Sequence, residues 1–436
     1  MRILLEHVRC FSKRQSISLR PLTLLVGENR SGKSTCLAMV SSVFDRDRFP
    51  GNPAFNEPPY NLGTFDTIAT HKGGRYGRDD YFVIGFSEFE QGMKGFREVT
   101  ATFGSEHGNT VLRAFRAFSA AGELSVTVSE STLSGSLTFG KGNGQPLEPI
   151  EFKYDMANLP FVRRNTLALD TRFIIYVVSR SRRQSSKRFD QQLTQSSFRV
   201  LRAAEPPYES CFSFAPIRSK PRRTYDELSE EYSPEGDHIP TLLARLLKEE
   251  TTSQEGRRVE HALRRFGMES GLFEKIDVKR LGKKVSDPFQ IQIAVAGPSV
   301  NLADVGYGVS QALPIVVQSV LRTTSKVLLL QQPEVHLHPR AQAALGSFFS
   351  ELAADDDRMI LIETHSDNLV DRVRQEVTRG TIPANKVLIL FFHKPHLETT
   401  VHPITLDSHG NVENAPPCYR EFFLKEELDL LSRTSS

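Results

Sequence analysis

The stretch LTLLVGENRSGKSTCLAMV, residues 22–40, constrains the fold more than any other part of the chain. The apolar run over 22–26 predicts a buried strand, the loop Gly27-Glu28-Asn29-Arg30-Ser31-Gly32-Lys33-Ser34 follows it, and the run from Thr35 continues as a helix. Gly27-x4-Gly32-Lys33-Ser34 between a strand and a helix has the form of a phosphate-cradling loop. Its glycines let the backbone wrap with the amides turned inward, and the helix N-terminus offers the positive end of a dipole. Lys33 is placed to reach the β- and γ-phosphates and the Ser34 hydroxyl to bind Mg²⁺, with Asn29, Ser31 and Thr35 completing the candidate nucleotide contacts. A chance glycine turn would account for the same letters only without the flanking strand and helix.

A chain of 436 residues with 39 % hydrophobic content has room for two or three lobes and a sizeable core. No apolar stretch approaches the roughly 18 to 20 residues of a membrane span, and Met1 runs straight into a strand-like segment, so a cytoplasmic location without membrane contact is expected. Cys10, Cys36, Cys211 and Cys418 show no CxxC spacing and read as reduced packing residues. The 55 basic residues are nearly matched by 52 acidic ones, and a net charge of +3 does not by itself indicate nucleic acid. Three basic clusters stand out: Arg180, Arg182, Arg183, Lys187 and Arg188; Arg218, Lys220, Arg222 and Arg223; and Lys279, Arg280, Lys283 and Lys284. Each reads either as a solvated surface or as a phosphate-tracking or partner-docking face.

Along the chain, residues 2–8 and 22–26 read as strands joined by a polar turn. Residues 51–80, punctuated by Gly, Pro and Asn, read as an excursion of loops. Short alternating runs between Tyr81 and Tyr154 predict an antiparallel meander. Residues 241–266 have helical spacing, and strand-like 289–296 follows. A helix from about Ser310 leads into strand 327–330, helix 340–352, strand 359–363, helix 367–377 and strand 386–392. That alternation predicts a parallel, helix-covered sheet.

Three further motifs lie in this second half. In NLADVGYGVSQALPIVVQ (301–318), Gly306 and Gly308 permit a tight approach and Ser310 sits where it would cap a helix facing an anion; a plain capping turn is the competing reading. VLLLQQPEVHLHP (327–339) is an apolar strand with polar side chains at its C-terminal end, where ligands of parallel α/β sheets sit. MILIETHSDNLV (359–370) ends another such strand in Glu363-Thr364-His365, a strand-end histidine that is functional in this company and structural in isolation.

In this order the four motifs resemble the ABC-type ATPase heads of the SMC, RecF and OLD group. PEVHLHP and ETHS resemble its prokaryotic branch, many of whose members serve anti-phage defence. FAPIRSKPRRTY (214–225), VGYGVSQALPI (305–315) and HPITLDSHGNVENAPPCYREFF (402–423) are similar to ATPases with a small C-terminal domain of unknown function. The resemblance implies an α/β fold, an ABC-type P-loop ATPase head with a mixed N-terminal β lobe plus a parallel α/β lobe with a helical insertion. The expected bounds are 1–240 for the N-terminal lobe, 241–285 for the insertion, 286–400 for the C-terminal lobe and 401–436 for the appendix. It also implies that two copies sandwich ATP and Mg²⁺, or build larger assemblies from such dimers. Lys33, Ser34 and the loop amides act in cis, Ser310 with Gly306 and Gly308 acts in trans, Gln311 is a further nucleotide-binding candidate, and His365 senses the γ-phosphate.

The sequence departs from that pattern where two acids should precede the proline. Gln331 and Gln332 stand there, neutral groups that can orient water, or sit near Mg²⁺ with Ser34, but cannot take a proton. Binding should survive and turnover should be slow, with Glu334 and Glu363 as substitutes. No Gln-loop residue is assignable. An acidic metal-dependent nuclease arrangement is not found after His365, so the expected effector is a separate chain, a nuclease or toxin, with nucleic acid left open as a partner. The reading is a nucleotide-gated sensor or scaffold of anti-phage defence; a RecF-like DNA-repair ATPase and a non-catalytic ATP-binding interaction protein are the alternatives.

Overall fold

A computed structural model describes residues 1–74, 77–90, 95–140, 149–155, 162–163, 166–167, 189–226, 231–247, 253–284, 287–321, 325–355 and 358–419. The first basic cluster, Arg180 to Arg188, lies outside them. In chain order the elements are β1 Arg2–Glu6, β2 Gln15–Ser18, β3 Leu22–Gly27, α1 Lys33–Val43, α2 Phe65–Ile68, β4 Tyr81–Glu90, β5 Gly95–Glu106, β6 Asn109–Ser119, β7 Gly122–Val128, β8 Thr132–Phe139, β9 Ile150–Asp155, β10 Val162–Arg163, β11 Thr166–Leu167 and α3 Phe189–Ala204. Then come β12 Cys211–Phe214, α4 Ile239–Leu246, α5 Gln254–Ser270, β13 Lys275–Arg280, β14 Phe289–Ala294, β15 Val300–Asn301, α6 Tyr307–Val320, β16 Val327–Gln331, α7 Pro339–Asp355, β17 Met359–Glu363, α8 Asp367–Thr378, β18 Val387–His393, β19 Thr400–Leu406 and β20 Val412–Glu413.

The chain divides into two compact units. The first comprises Met1–Leu19, Asn29–Ser210 and His393–Val401. Its core is an antiparallel sheet in the order β2-β1-β4-β5-β6-β7-β8-β9. The meander alternates as a half-buried sheet must, with Phe82, Ile84, Phe86, Val99, Ala101, Phe103, Phe115, Ala117, Leu124 and Val126 all turned inward. Phe55 packs edge-on against Phe82 and Phe103 at ring separations of 5.7 and 5.4 Å, and Phe49 against Phe115 at 6.4 Å. The excursion over 51–80 is mostly turns, with the short α2 inside it.

The second unit comprises Arg20–Glu28, Cys211–Phe392 and His402–Ser436. Its sheet runs β12-β16-β17-β3-β18-β19-β20, and the pairs from β12 to β18 are parallel. β3, β16 and β17 are buried on both faces, which is why they read as unbroken apolar runs instead of alternating ones. The residues beyond 401 that are described add β19 and β20 to this same sheet. A three-stranded sheet, β13-β14-β15, stands beside helices α4 and α5.

Several elements differ from the sequence expectation. β2 and α3 were not foreseen; β2 is four residues long and mostly polar, and α3 is a polar sequence, FDQQLTQSSFRVLRAA, that carries only a stripe of apolar residues. The helical spacing of 241–266 belongs to two helices, α4 and α5. The second begins at a new N-cap, where the Ser253 hydroxyl accepts from Gly256 N. Helix α6 starts at Tyr307 with Gly306 as its N-cap, so Ser310 is not a capping residue. It lies one turn inside the helix and donates to the Tyr307 carbonyl at 2.9 Å.

Candidate functional site

The candidate phosphate loop between β3 and α1 bends through positive-φ positions, two of them glycines. Gly27 has φ +141°, Arg30 +63° and Gly32 +102°. A Cβ on Gly27 would meet the Phe392 carbonyl oxygen at 2.4 Å. On Gly32 it would meet Cys10 Sγ at 2.6 Å and the Phe11 ring at 2.9 Å. Helix α1 then opens at Lys33 with no side-chain cap on its N-terminus and no acidic residue in its first turn, the arrangement that favours an anion.

The part of this loop that belongs to the first unit is held by groups the sequence did not announce. Thr399 Oγ1 donates to the Ser31 carbonyl at 2.8 Å and the Cys10 thiol lies 3.8 Å from the same oxygen. Lys394 Nζ donates to the Arg30 carbonyl at 3.4 Å, and Arg9 Nη1 to Thr35 Oγ1 at 3.4 Å. Burial pushes the Cys10 thiol up. Lys33 is buried and Ser34 and Asn29 are exposed, while Ser31 Oγ is buried with no hydrogen-bond partner among the described residues.

In the second unit the C-terminal ends of three parallel strands converge. Gln331 ends β16 opposite Glu363, which ends β17, and Glu363 in turn lies opposite Leu25 of β3, two residues before Gly27. Gln332 follows in the left-handed region at φ +43° and donates its N–H to the Glu363 carbonyl at 2.8 Å. A non-glycine residue in that conformation is strained, and such strain clusters at functional turns. Glu334 is 7 % exposed, and its Oε1 accepts from His365 N at 2.7 Å. Burial pushes its carboxyl above the usual carboxylate range, against the pull of the Thr364 hydroxyl and the Arg218 guanidinium. His365 is exposed at this edge, and Ser366 next to it caps α8 by accepting from Leu369 N at 3.1 Å.

In the motif over 301–318, Gly306 is exposed and a Cβ there would meet nothing within 4 Å. The tight approach expected of it is therefore not an approach within the chain. Gly308 faces the His336 carbonyl at ordinary contact distance, and the Tyr307 ring lies 6.0 Å from the His336 ring. Ser310 and Gln311 are buried. The Gln311 amide is spent at both ends on the backbone of Arg218, accepting from its N at 3.1 Å and donating to its O at 3.4 Å.

In the second basic cluster Arg218 is 2 % exposed and Arg223 is forked on Asp304, while Lys220 and Arg222 are exposed. Lys279, Lys283 and Lys284 of the third are exposed. The sequence signal for Arg218 was the stretch FAPIRSKPRRTY, which carried no chemistry of its own until β12 was seen to pair with β16. No helix among the described residues is long and apolar enough to cross a membrane.

No curated protein matches the sequence. Among solved structures the chain is similar to an SMC head bound to the C-terminal winged-helix domain of ScpA, at 10 % identity over 93 % of this chain and 97 % of that one, with a TM-score of 0.47. It is also similar to the SMC head domain from Thermotoga maritima, at 12 % identity over 92 % and 97 %, with a TM-score of 0.40. An Smc head domain with an extended coiled coil from Pyrococcus furiosus, bound to the C-terminal domain of ScpA, matches at 9 % identity over 100 % and 99 %, with a TM-score of 0.41. The sequence match is to the family of the AAA ATPase domain, over residues 164–370, the stretch that contains Gly306, Gly308, the strand-end glutamines and His365.

Proposed function

We propose that this protein binds ATP with Mg²⁺ and works as a nucleotide-gated switch that turns ATP over slowly. The observation that carries the reading is the phosphate loop. Three left-handed positions wrap residues 27–32 ahead of the uncapped N-terminus of α1, starting from the strand-end edge of a parallel sheet. The buried Ser31 hydroxyl, without a hydrogen-bond partner among the described residues, fits a phosphate oxygen.

For the metal, the motif resemblance implies the Ser34 hydroxyl and the Gln331 amide oxygen as donors. Both are neutral, a set suited to an ion whose charge is met by the nucleotide's own phosphates. Among the described residues no group of three or more His, Cys, Asp or Glu is placed to hold a metal ion. When bound, Mg²⁺ would neutralise charge on the phosphates. The protein's own part is to hold the phosphates with Lys33 and the loop amides, and to orient a water with Gln332. Glu334, with Oε2 buried and unpartnered, would accept the proton. Neutral amides at 331 and 332 leave less negative charge at this edge than two acids would, which supports slow turnover.

The exposed Gly306 and the Tyr307 ring, 52 % exposed, form a surface suited to a second copy closing over the nucleotide. We assign the switch to control of a separate effector, a nuclease or toxin, in anti-phage defence. That finer role is supported by the resemblance of the motifs. Equilibrium titration and phosphate release, measured side by side on the wild type and on Gln331→Glu/Gln332→Glu, test the core of the reading. Binding in both, with faster turnover in the diacid variant, supports it; a wild type that binds no ATP sinks it. A chain that purifies from its native operon without a partner, and whose deletion leaves phage sensitivity unchanged, would remove the defence role.

A further inference from the structure

The stretch FAPIRSKPRRTY, residues 214–225, takes no part in the reading above, yet it runs between the motifs that carry it. β12 is parallel to β16, with Phe214 opposite Leu330, so the chain leaving β12 emerges at the same sheet edge as Gln331 and Gln332. Arg218, four residues on, is gripped at its backbone by both ends of the Gln311 amide. From that grip its side chain reaches the strand-end turn, where Nη2 donates to the Gln332 carbonyl at 3.4 Å. Farther along, Arg223 forks onto Asp304 at 3.0 and 2.5 Å, and Asn301 Nδ2 donates to the Arg223 carbonyl at 2.8 Å. One strap is thus fastened to the loop ahead of α6, to the first turns of α6 and to the turn after β16.

A structural strap does not need a cation at its buried point. Burying a guanidinium is costly unless its donors are met, and an apolar side chain of similar volume often packs as well or better. Arg218 Nε and Nη1 are buried with no hydrogen-bond partner among the described residues, and Glu334 Oε2 is in the same condition. Burial draws the guanidinium down to about 10 against the pull of the Glu334 charge, which still leaves it charged at neutral pH. Arg218 and Glu334 therefore balance each other's charge in the interior while donors of one and an acceptor of the other stay unspent. This arrangement can change partners when the strand-end turn shifts.

We propose that Arg218 is a positioning residue that ties the first turns of α6 to the strand-end turn of Gln332 and Glu334, so that the presence of a γ-phosphate is transmitted between the two motifs. The proposal rests on the nucleotide reading above. The link runs from Gln311 through Arg218 to Gln332 and Glu334, and from Glu334 to the backbone of His365. Removing the guanidinium leaves both motifs standing but independent.

The test is equilibrium titration of the full chain with Mg²⁺ and either ADP or the non-hydrolysable β,γ-imido analogue of ATP. The wild type prefers the triphosphate. Arg218→Met loses about tenfold of that preference while ADP affinity changes by less than about twofold, and Arg218→Lys recovers part of the loss. Gln311→Met acts in the same direction and adds little on top of Arg218→Met, because both cut one link. Arg218→Met leaves Glu334 as an uncompensated buried carboxylate, so Arg218→Met/Glu334→Gln is compared with Glu334→Gln and shows the same loss. Retention of the wild-type preference in Arg218→Met, or in the double variant relative to Glu334→Gln, overturns the proposal and leaves the nucleotide reading intact. A wild type that binds neither nucleotide overturns that reading and the proposal together, and is seen before any Arg218 variant is made.

Discussion

On the proposed reading, Lys33 is the residue on which nucleotide affinity should depend most directly. A charge-assisted contact to phosphate is worth about 1.5 to 3 kcal/mol, so Lys33→Ala should weaken ATP binding by roughly 10- to 100-fold in a titration. Its folding stability should change little by comparison. On the same reading, Glu334 should set the pH dependence of turnover. Burial raises its carboxyl above the ordinary range, so the group is protonated, and unable to accept a proton, up to a higher pH than an exposed glutamate. Turnover should therefore fall off on the acid side at a pH above that of an ordinary carboxylate. The acid limb should disappear together with most of the activity in Glu334→Gln. The same shift has a stability counterpart. A carboxyl whose folded value is raised favours folding below its unfolded value, and that contribution is lost as pH rises through the folded one.

At the level of elements, Ser366 is a second use of the THS motif. It caps α8 while its hydroxyl also lies 2.6 Å from Gln342 Oε1, and Ser366→Ala should cost about 1 kcal/mol, seen as a lowered denaturant midpoint with unchanged slope. The elements legible in the sequence were those whose pattern answers to one local cause. β3, β16 and β17 showed as apolar runs because both faces are covered, and the meander showed as alternation because one face is. What could not be read depended on contacts between distant residues. Ser310 looks like a cap until Gly306 is seen to start the helix one turn earlier. Arg218 looks like one of four surface cations until Gln311, 93 residues away, is found holding it. The strand, loop and helix around residues 27–33 were legible in their bounds, but Thr399 and Cys10, which hold the Ser31 carbonyl, carry no local signal at all.

For the whole molecule, the proposed closing of two copies predicts that ATP, and not ADP, raises the molar mass measured by light scattering. Gly306 is the place to block it. Its φ of −56° suits any residue and its Cβ position is open, so Gly306→Glu should leave stability within about 0.5 kcal/mol. Mass should then stay at that of one chain in the presence of ATP.

The threading of the second unit bears on how the protein is made. β3, the strand that leads into the phosphate loop, lies between β17 and β18 in the finished sheet, yet it leaves the ribosome first, and its neighbours are encoded at 359–363 and 387–393. At about 5 to 20 residues per second, this apolar strand waits on the order of half a minute for either flank. During that interval its edges are unpaired. The nascent chain is thus a natural client for chaperones, and a premature stop after the meander would release a species with its hydrophobic centre strand orphaned and prone to aggregate.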